Sequence, residues 1–330
     1  MVDTIIDGAD IKSFATLIES NLTPSSVTNP TFLSGIAIAD PVLWASTNRE
    51  AILDLLQRDA ALVFRDFSLP TPEHFEAFAA AICPDLYGNY GDLPKKEVGK
   101  KIYKSTPYPN NMKILFHNES SNTGVWPTKQ FFFCEQPAAV GGATPLVDCR
   151  AVYKALPEHI KQDFSAKGLK YTRNFSAGFD VSWQDYFKTD SLDEVKTICE
   201  RLGLTFSHDA DDTITTEFIT AGVLVLSPEE VSFFNQVQLH HPFCLEPQVR
   251  AVLLELLGQD RLPRNVTFAD GSVISDETMQ LIAEAYESCA VRFTWQQGDV
   301  VMVDNRIIAH GRDEFDGNRK VVVAMADMKS

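Results

Sequence analysis

The chain has 330 residues, 45% apolar and 22% charged, with 22 phenylalanines, which suits a globular protein with a sizeable core. A formal net charge of −16 repels phosphate backbones and anionic lipid, so nucleic acid and membrane are not expected partners. The six cysteines (83, 134, 149, 199, 244 and 289) show no CxxC or zinc-ribbon spacing and read as reduced thiols. The opening MVDTIIDGADIKSF has an early acid and no long apolar run, unlike a secretory leader or membrane span, so the expected location is cytoplasmic.

In chain order, the first forty residues read as irregular, with a loop at 20–32 (SNLTPSSVTNPTF). Helical spacing of apolar residues follows at 48–58, then a short strand at 62–67 (LVFRDF). At 71–82, Thr71, Pro72 and Glu73 mark an N-capped helix. From about 112 the pattern turns to strands, KILFHNE, KQFFFCE and ATPLVDC, with Gly141-Gly142 as a turn. Residues 149–162 are helical with a break at Leu156-Pro157. Helices are also predicted at 193–202, 246–258 and 276–288, and 223–236 mixes strand and loop. VRFTW, DVVMVDN and KVVVAMAD form a last strand block. No GxGxxG or GxxxxGK motif and no strand–helix alternation is present, which argues against dinucleotide and P-loop folds. The predicted architecture is mainly β with helical additions, a double-sheet jelly roll.

The chemistry concentrates at His117-Asn118-Glu119. Read as part of one strand, positions 117 and 119 share a face and can converge on one metal. His310 follows a strongly apolar strand much later in the chain. Two histidines and one carboxylate that leave coordination positions open characterise non-haem Fe(II) oxygenases. Thr144, after the Gly-Gly turn, and Arg319, at the start of the final strand, are a second pair. A 2-oxoglutarate co-substrate chelating the iron needs a cation and a hydroxyl for its far carboxylate, and Arg offers a bidentate fork. Lys320 has the opposite strand parity; parity alone cannot choose between the two, and fork geometry favours Arg319.

Other polar residues have both functional and ordinary readings. His240 and His241 could line a lid, or sit in an exposed loop. Asn235 and Gln236 could bond a substrate, or cap a turn. Arg173 could meet a substrate carboxylate, or make a structural ion pair. Trp126 could wall a pocket, or simply pack. Asn305 and Arg306 could support His310, or form a turn. His74, His159 and His208 read as solvated. Asp209, Asp211 and Asp212 lack the Gly and distal Glu of an EF-hand loop and read as a solvated loop.

The blocks FHNESSNTGVWPTKQFFFCEQPAAVGGATPLVDCR (116–150), YTRNF (171–175), SWQDYF (182–187), FFNQ (233–236) and WQQGDVVMVDNRIIAHGR (295–312) resemble the taurine dioxygenase (TauD/TfdA)/clavaminate synthase-like superfamily. Within it, they are most similar to syringomycin-type amino-acid hydroxylases. The resemblance implies a double-stranded β-helix in a single domain, 1–330, with its core at about 60–150 and 290–330 and a helical and lid insertion at about 151–290. It implies Fe(II) on His117, Glu119 and His310, 2-oxoglutarate on Thr144 and Arg319, and O2 as oxidant. The reaction implied is oxidation of a C–H bond in a small metabolite, such as an amino acid or carrier-tethered amino acid, in secondary metabolism. Related halogenases lack the carboxylate ligand, so Glu119 points to hydroxylation, desaturation, epoxidation or rearrangement. Two departures stand out: Arg319-Lys320 where relatives often pair arginines, and Asn122 where an aromatic often follows the HNE block. Asn122, Trp126, Arg173, Asn235, Gln236 and His240 are the candidate substrate contacts. Another metalloenzyme of the same barrel, or a binding module that kept the fold, are the competing readings.

Overall fold

The computed structural model describes residues 10–12, 30–88, 101–104, 108–176 and 178–330. Seven strands form the larger sheet, in the order β1 (Asp10–Lys12), β2 (Thr31–Ser34), β3 (Ala61–Arg65), β16 (Val300–Asp304), β6 (Trp126–Gln136), β19 (Lys320–Lys329) and β4 (Tyr103–Lys104). All neighbours are antiparallel except β2 and β3. A smaller antiparallel sheet runs β15 (Ala290–Val291), β8 (Leu146–Asp148), β17 (Ile308–Arg312) and β5 (Ile114–His117). The N-terminal stretch therefore contributes strand: Thr31 and Phe32, read as loop, pair with β3, while 20–29 lie outside the described residues, as do 1–9 of the supposed leader-free start.

Strand alternation explains the layers. On β6, Phe131 and Phe133 face outward onto helix α3 (Pro72–Ile82), whose Phe75, Phe78, Ala79 and Ile82 recur at helical spacing. The Phe75 and Phe133 rings stack at 5.1 Å. Helices α1 (Pro41–Thr47) and α2 (Arg49–Asp59) complete that layer. Thr71 precedes α3 in extended conformation, but its hydroxyl engages His74 Nδ1 at 2.9 Å instead of capping a backbone N–H. On the opposite face of the same strands, Phe132, Cys134, Val301, Val303, Val321 and Val323 join Leu146, Val291 and Ile308 of the smaller sheet in one apolar cluster. Each such buried Phe or Val stabilises the fold by about 1.5–3 kcal/mol over an exposed one. Strands β3 and β16 are covered on both faces, which is why they read as unbroken apolar runs.

The smaller sheet's far side packs against α4 (Cys149–Ala155), α5 (Glu158–Lys167) and α10 (Asp276–Cys289) through Phe116, Val147 and Ala309. Residues between β8 and β15 also build their own antiparallel sheet: β10 (Thr205–His208), β11 (Ile214–Thr220), β9 (Leu169–Phe175) and β14 (Arg264–Phe268). Helices α6 (Trp183–Phe187) and α7 (Leu192–Leu202) lie on it. Two small two-stranded sheets, the long-range pair β7 (Val140–Gly141) with β18 (Phe315–Asp316) and the hairpin β12 (Leu224–Ser227) with β13 (Glu230–Ser232), and helices α8 (Val237–His240) and α9 (Pro247–Leu257), complete the described elements. VRFTW is mostly not strand; only Val291 falls in β15. Among the described residues no helix is long and apolar enough to cross a membrane.

A buried ion pair ties the end of β3 to the turn before β16. Arg65 donates to Asp299 from Nε (2.8 Å) and Nη2 (2.6 Å), and Asp299 also accepts from Gln296 N at 2.8 Å. Asp299→Ala leaves the guanidinium buried without its counter-charge, a loss of about 3–5 kcal/mol. A urea titration of the variant checks this; a midpoint equal to that of the wild type would show the pair to be dispensable.

Candidate functional site

The site forms where the two sheets face each other. His310 on β17 and His117 on β5 are directly opposed in the antiparallel register, so the strand pairing itself sets the imidazoles side by side, with ring centroids 4.2 Å apart. Glu119 is not on β5, which ends at His117. It lies in the following turn, where Ser120 takes a left-handed φ of 56°. The turn, not strand parity, brings its carboxylate round to 3.9 Å from His310 Nε2. Ligand atoms of His117, Glu119 and His310 all lie within 4.8 Å of one another, the one such cluster of three among the described residues.

Buried polar groups hold this turn. Asn305, fully buried beyond β16, accepts from Glu119 N (2.7 Å) and donates Nδ2 to the carbonyls of Glu119 (3.0 Å) and Pro127 (2.8 Å). Asn118 Nδ2 donates to Asn305 O at 2.8 Å. From β6, Gln130 Nε2 donates to Glu119 Oε2 at 2.7 Å. His117 Nδ1 lies 2.9 Å from the Leu115 carbonyl, which can only accept, so Nδ1 carries the hydrogen and Nε2 keeps its lone pair. Two imidazoles and a carboxylate, with His117 and Glu119 oriented by outer hydrogen bonds, fit a divalent first-row ion, and the donor set matches the facial triad used by ferrous oxygenases.

Gly311, between His310 and Arg312, shows how tightly β17 meets β5: a Cβ there would sit 2.7 Å from the Ile114 carbonyl oxygen. Gly311→Ala pushes the strands apart beneath both imidazoles, with an expected cost of about 1–3 kcal/mol and weaker metal binding. Denaturant and metal titrations of that variant test the point, and unchanged values in both would contradict it.

The Thr144 and Arg319 side chains meet. Arg319 donates from Nη2 to Thr144 Oγ1 (2.9 Å) and from Nε to Gly142 O (2.8 Å), and Trp295 Nε1 also donates to Thr144 Oγ1 (3.1 Å). With two donors already on its oxygen, the Thr144 hydroxyl hydrogen is left for another acceptor. Lys320 points the other way, to Glu135 at the surface (3.4 Å). Burial and the nearby Arg312 push the Arg319 guanidinium down to about 10, so it stays charged at neutral pH. Burial also lowers Arg312, which donates to the carbonyls of Tyr108, Pro109 and Met112. Both guanidinia lie against the Phe315 ring. Neither pairs with a carboxylate within 4.0 Å among the described residues, Asp313 acting on Arg319 only from farther off, so this end of the site carries an excess of positive charge that suits an anion.

The candidate substrate residues divide. Asn122, Arg173 and His240 line one cleft, open to solvent, beside Tyr171, Tyr186 and Glu217. Arg173 is held by Asp180 (3.2 Å), which also accepts from Arg264 (3.1 Å), and lies over the Tyr186 ring. Asn235 and Gln236 are buried and face backbone: Asn235 Oδ1 accepts from Val237 N (3.2 Å), and Gln236 Nε2 donates to Asn118 O (3.0 Å). They hold α8 against the metal-bearing turn. Trp126 packs on Phe234 at 4.8 Å, beneath Lys329. His240 and His241 are both buried, contrary to an exposed loop, because α8 carries them inward. His241 bridges Ile274 O and Phe243 N. Arg306 pairs with Asp304, Asp209 and Asp211 with Arg261, and Asp212 with His208. Sequence reasoning missed Gln130, although it is the polar residue on the inward face of β6, in step with Phe132 and Cys134.

A two-histidine, one-carboxylate cluster between antiparallel sheets defines the class: the metal-binding triad of a non-haem oxygenase architecture. Residues 20–325 match the TauD/TfdA family, "Taurine catabolism dioxygenase TauD", and the chain belongs to that family. It is 35% identical over 277 residues to the dapdiamide synthesis protein DdaC of Enterobacter agglomerans, spanning 83% of this chain and 84% of that one. It is 25% identical over 293 residues to the clavaminate synthase-like protein At3g21360 of Arabidopsis thaliana, spanning 84% and 85%. Among solved structures, AAD-2 in complex with Mn(II) and N-oxalylglycine shares the fold at a TM-score of 0.53 and 17% identity, covering 98% of both chains.

Proposed function

We propose that this protein is an Fe(II)- and 2-oxoglutarate-dependent dioxygenase that hydroxylates a C–H bond of a small biosynthetic metabolite, in the manner of the syringomycin-type branch. The observation that carries the reading is the meeting of His117, Glu119 and His310 within 4.8 Å. Family membership and the identity to a dapdiamide synthesis protein support oxidative chemistry on a small metabolite. The two facing sheets suit the double-stranded β-helix of that family as a single domain over 1–330, with the segment between β8 and β15 as its insertion. A cytoplasmic location belongs to the same reading.

In it, the three side chains hold Fe(II), Gln130 steadies the Glu119 carboxylate, and Arg319 and Thr144 clamp the far carboxylate of 2-oxoglutarate. Bound Fe(II) supplies the coupling of O2 reduction to oxidation of the substrate C–H, while 2-oxoglutarate leaves as succinate and CO2. The intact carboxylate ligand favours oxygen insertion over halogenation. Arg173, Asn122 and His240 contact the substrate in the cleft they line.

Adding 2-oxoglutarate to the Fe(II)-protein without oxygen tests the reading. A visible charge-transfer absorption is the expected result. Its absence from a preparation that holds one iron per chain would leave only another metalloenzyme or a binding module.

A further inference from the structure

We infer that Asn122 is a fixed hydrogen-bond acceptor through which the cleft selects substrates bearing a neutral carboxamide N–H. The inference rests on the oxygenase reading above, because Asn122 stands in the same turn as Glu119, three residues on.

The case begins with an unmet bond. Asn122 is only 8% exposed, and its Oδ1 is cut off from solvent and has no hydrogen-bond partner. An isolated buried acceptor is a cost that a ligand donor can relieve. The orientation of the amide is fixed by its neighbours. His240 Nδ1 lies 3.3 Å from the Gln236 carbonyl, which only accepts, so that nitrogen carries the hydrogen. In a neutral ring Nε2 is then an acceptor, and only the NH2 of Asn122 can face it, at 3.4 Å. Oδ1 is what remains to be offered to a ligand.

His240 stays neutral. Burial, and then Arg264 and Arg173, bring its pKa down to about 3. Asp180, which bridges the two arginines, only partly offsets them. The same burial and the same guanidinia oppose an ammonium group beside Asn122, and the carboxylate in the cleft lining, Glu217, is already paired with Lys170 at 3.2 Å. A neutral N–H is therefore the better match. Arg173 lines the same cleft and can only donate, so the group that meets both needs a donor and an acceptor oxygen together, as a carboxamide has.

Four small carboxylates separate the chemistries: succinamate, monomethyl succinate, 4-aminobutyrate and 4-hydroxybutyrate. Each is titrated calorimetrically into the protein saturated with Fe(II) and 2-oxoglutarate without oxygen. Succinamate is expected to bind at least about tenfold more tightly than the other three, the discrimination typical of a buried group left unpaired by the wrong ligand. Asn122→Leu should level the four to within about twofold. His240→Leu, which frees the amide to rotate, should narrow the ratio while keeping Asn122, and serves if the first variant does not fold. Ratios among ligands are read because a general loss of affinity or stability leaves them unchanged. The inference is overturned if succinamate does not bind, if the ester, amine or alcohol binds as well or better, or if the ranking survives in the variants. The absorption on 2-oxoglutarate addition is recorded on the same sample. When it forms and the ranking is absent, this inference fails alone; when it does not form, the oxygenase reading fails.

Discussion

His310→Ala is expected to lower Fe(II) affinity by more than about a hundredfold and to abolish 2-oxoglutarate turnover. Loss of an outer hydrogen-bond partner alone typically costs about ten- to a hundredfold in metal affinity, and loss of a ligand costs more. The geometry makes His310 hard to replace. It is fixed by its register opposite His117 and packed at 4.7 Å against the Phe132 ring, and no other histidine, cysteine or carboxylate joins the cluster among the described residues. The truncation also leaves a cavity beside Phe132, so folding must be read separately. Equilibrium iron binding and the melting temperature together do this. A folded His310→Ala protein that binds iron and makes succinate as the wild type does would refute the assignment of the centre.

Arg319→Ala is expected to raise the concentration of 2-oxoglutarate needed for half-saturation by about thirty- to a hundredfold, with iron affinity nearly unchanged. A charge-assisted hydrogen bond contributes roughly 1.5–3 kcal/mol, and each 1.4 kcal/mol is tenfold in binding. Arg319 is half-buried without a carboxylate partner within 4.0 Å among the described residues, so its charge suits an anion. Its removal also strips a donor from Thr144, whose hydroxyl keeps only Trp295. Arg319→Lys should recover part of the affinity, since it restores charge but not the fork that spans Gly142 O and Thr144. Lys320→Ala should leave the titration unchanged, because Lys320 faces Glu135 at the surface. Equal effects of Arg319→Ala on iron and on 2-oxoglutarate would point instead to collapse of the β19 end.

As one strand, the HNE block would bring His117 and Glu119 to a common face through period two. The strand ends at His117, and a turn pinned by Asn305 does the work. Nothing local to the block announces that turn, because its partner is supplied by the loop after β16. Asn235 and Gln236 look like ligand contacts by residue type, yet their bonds go to backbone. The choice between Arg319 and Lys320 is a matter of which face of β19 lies inward, and that is set by pairing with β6 across a register shift at Lys320/Val321.

From residue types and their order alone came the candidate ligands, the β-rich class and the kinship with TauD-like oxygenases, because metal preference and apolar periodicity are properties of side chains and their local spacing. Tertiary structure alone decided that β5 and β17 pair with His117 opposite His310, that Gln130 reaches Glu119, and that Asn122 offers an oxygen with nothing bonded to it. Those contacts join residues far apart in the chain, and long-range register is fixed by packing of whole sheets, which no short window of sequence contains.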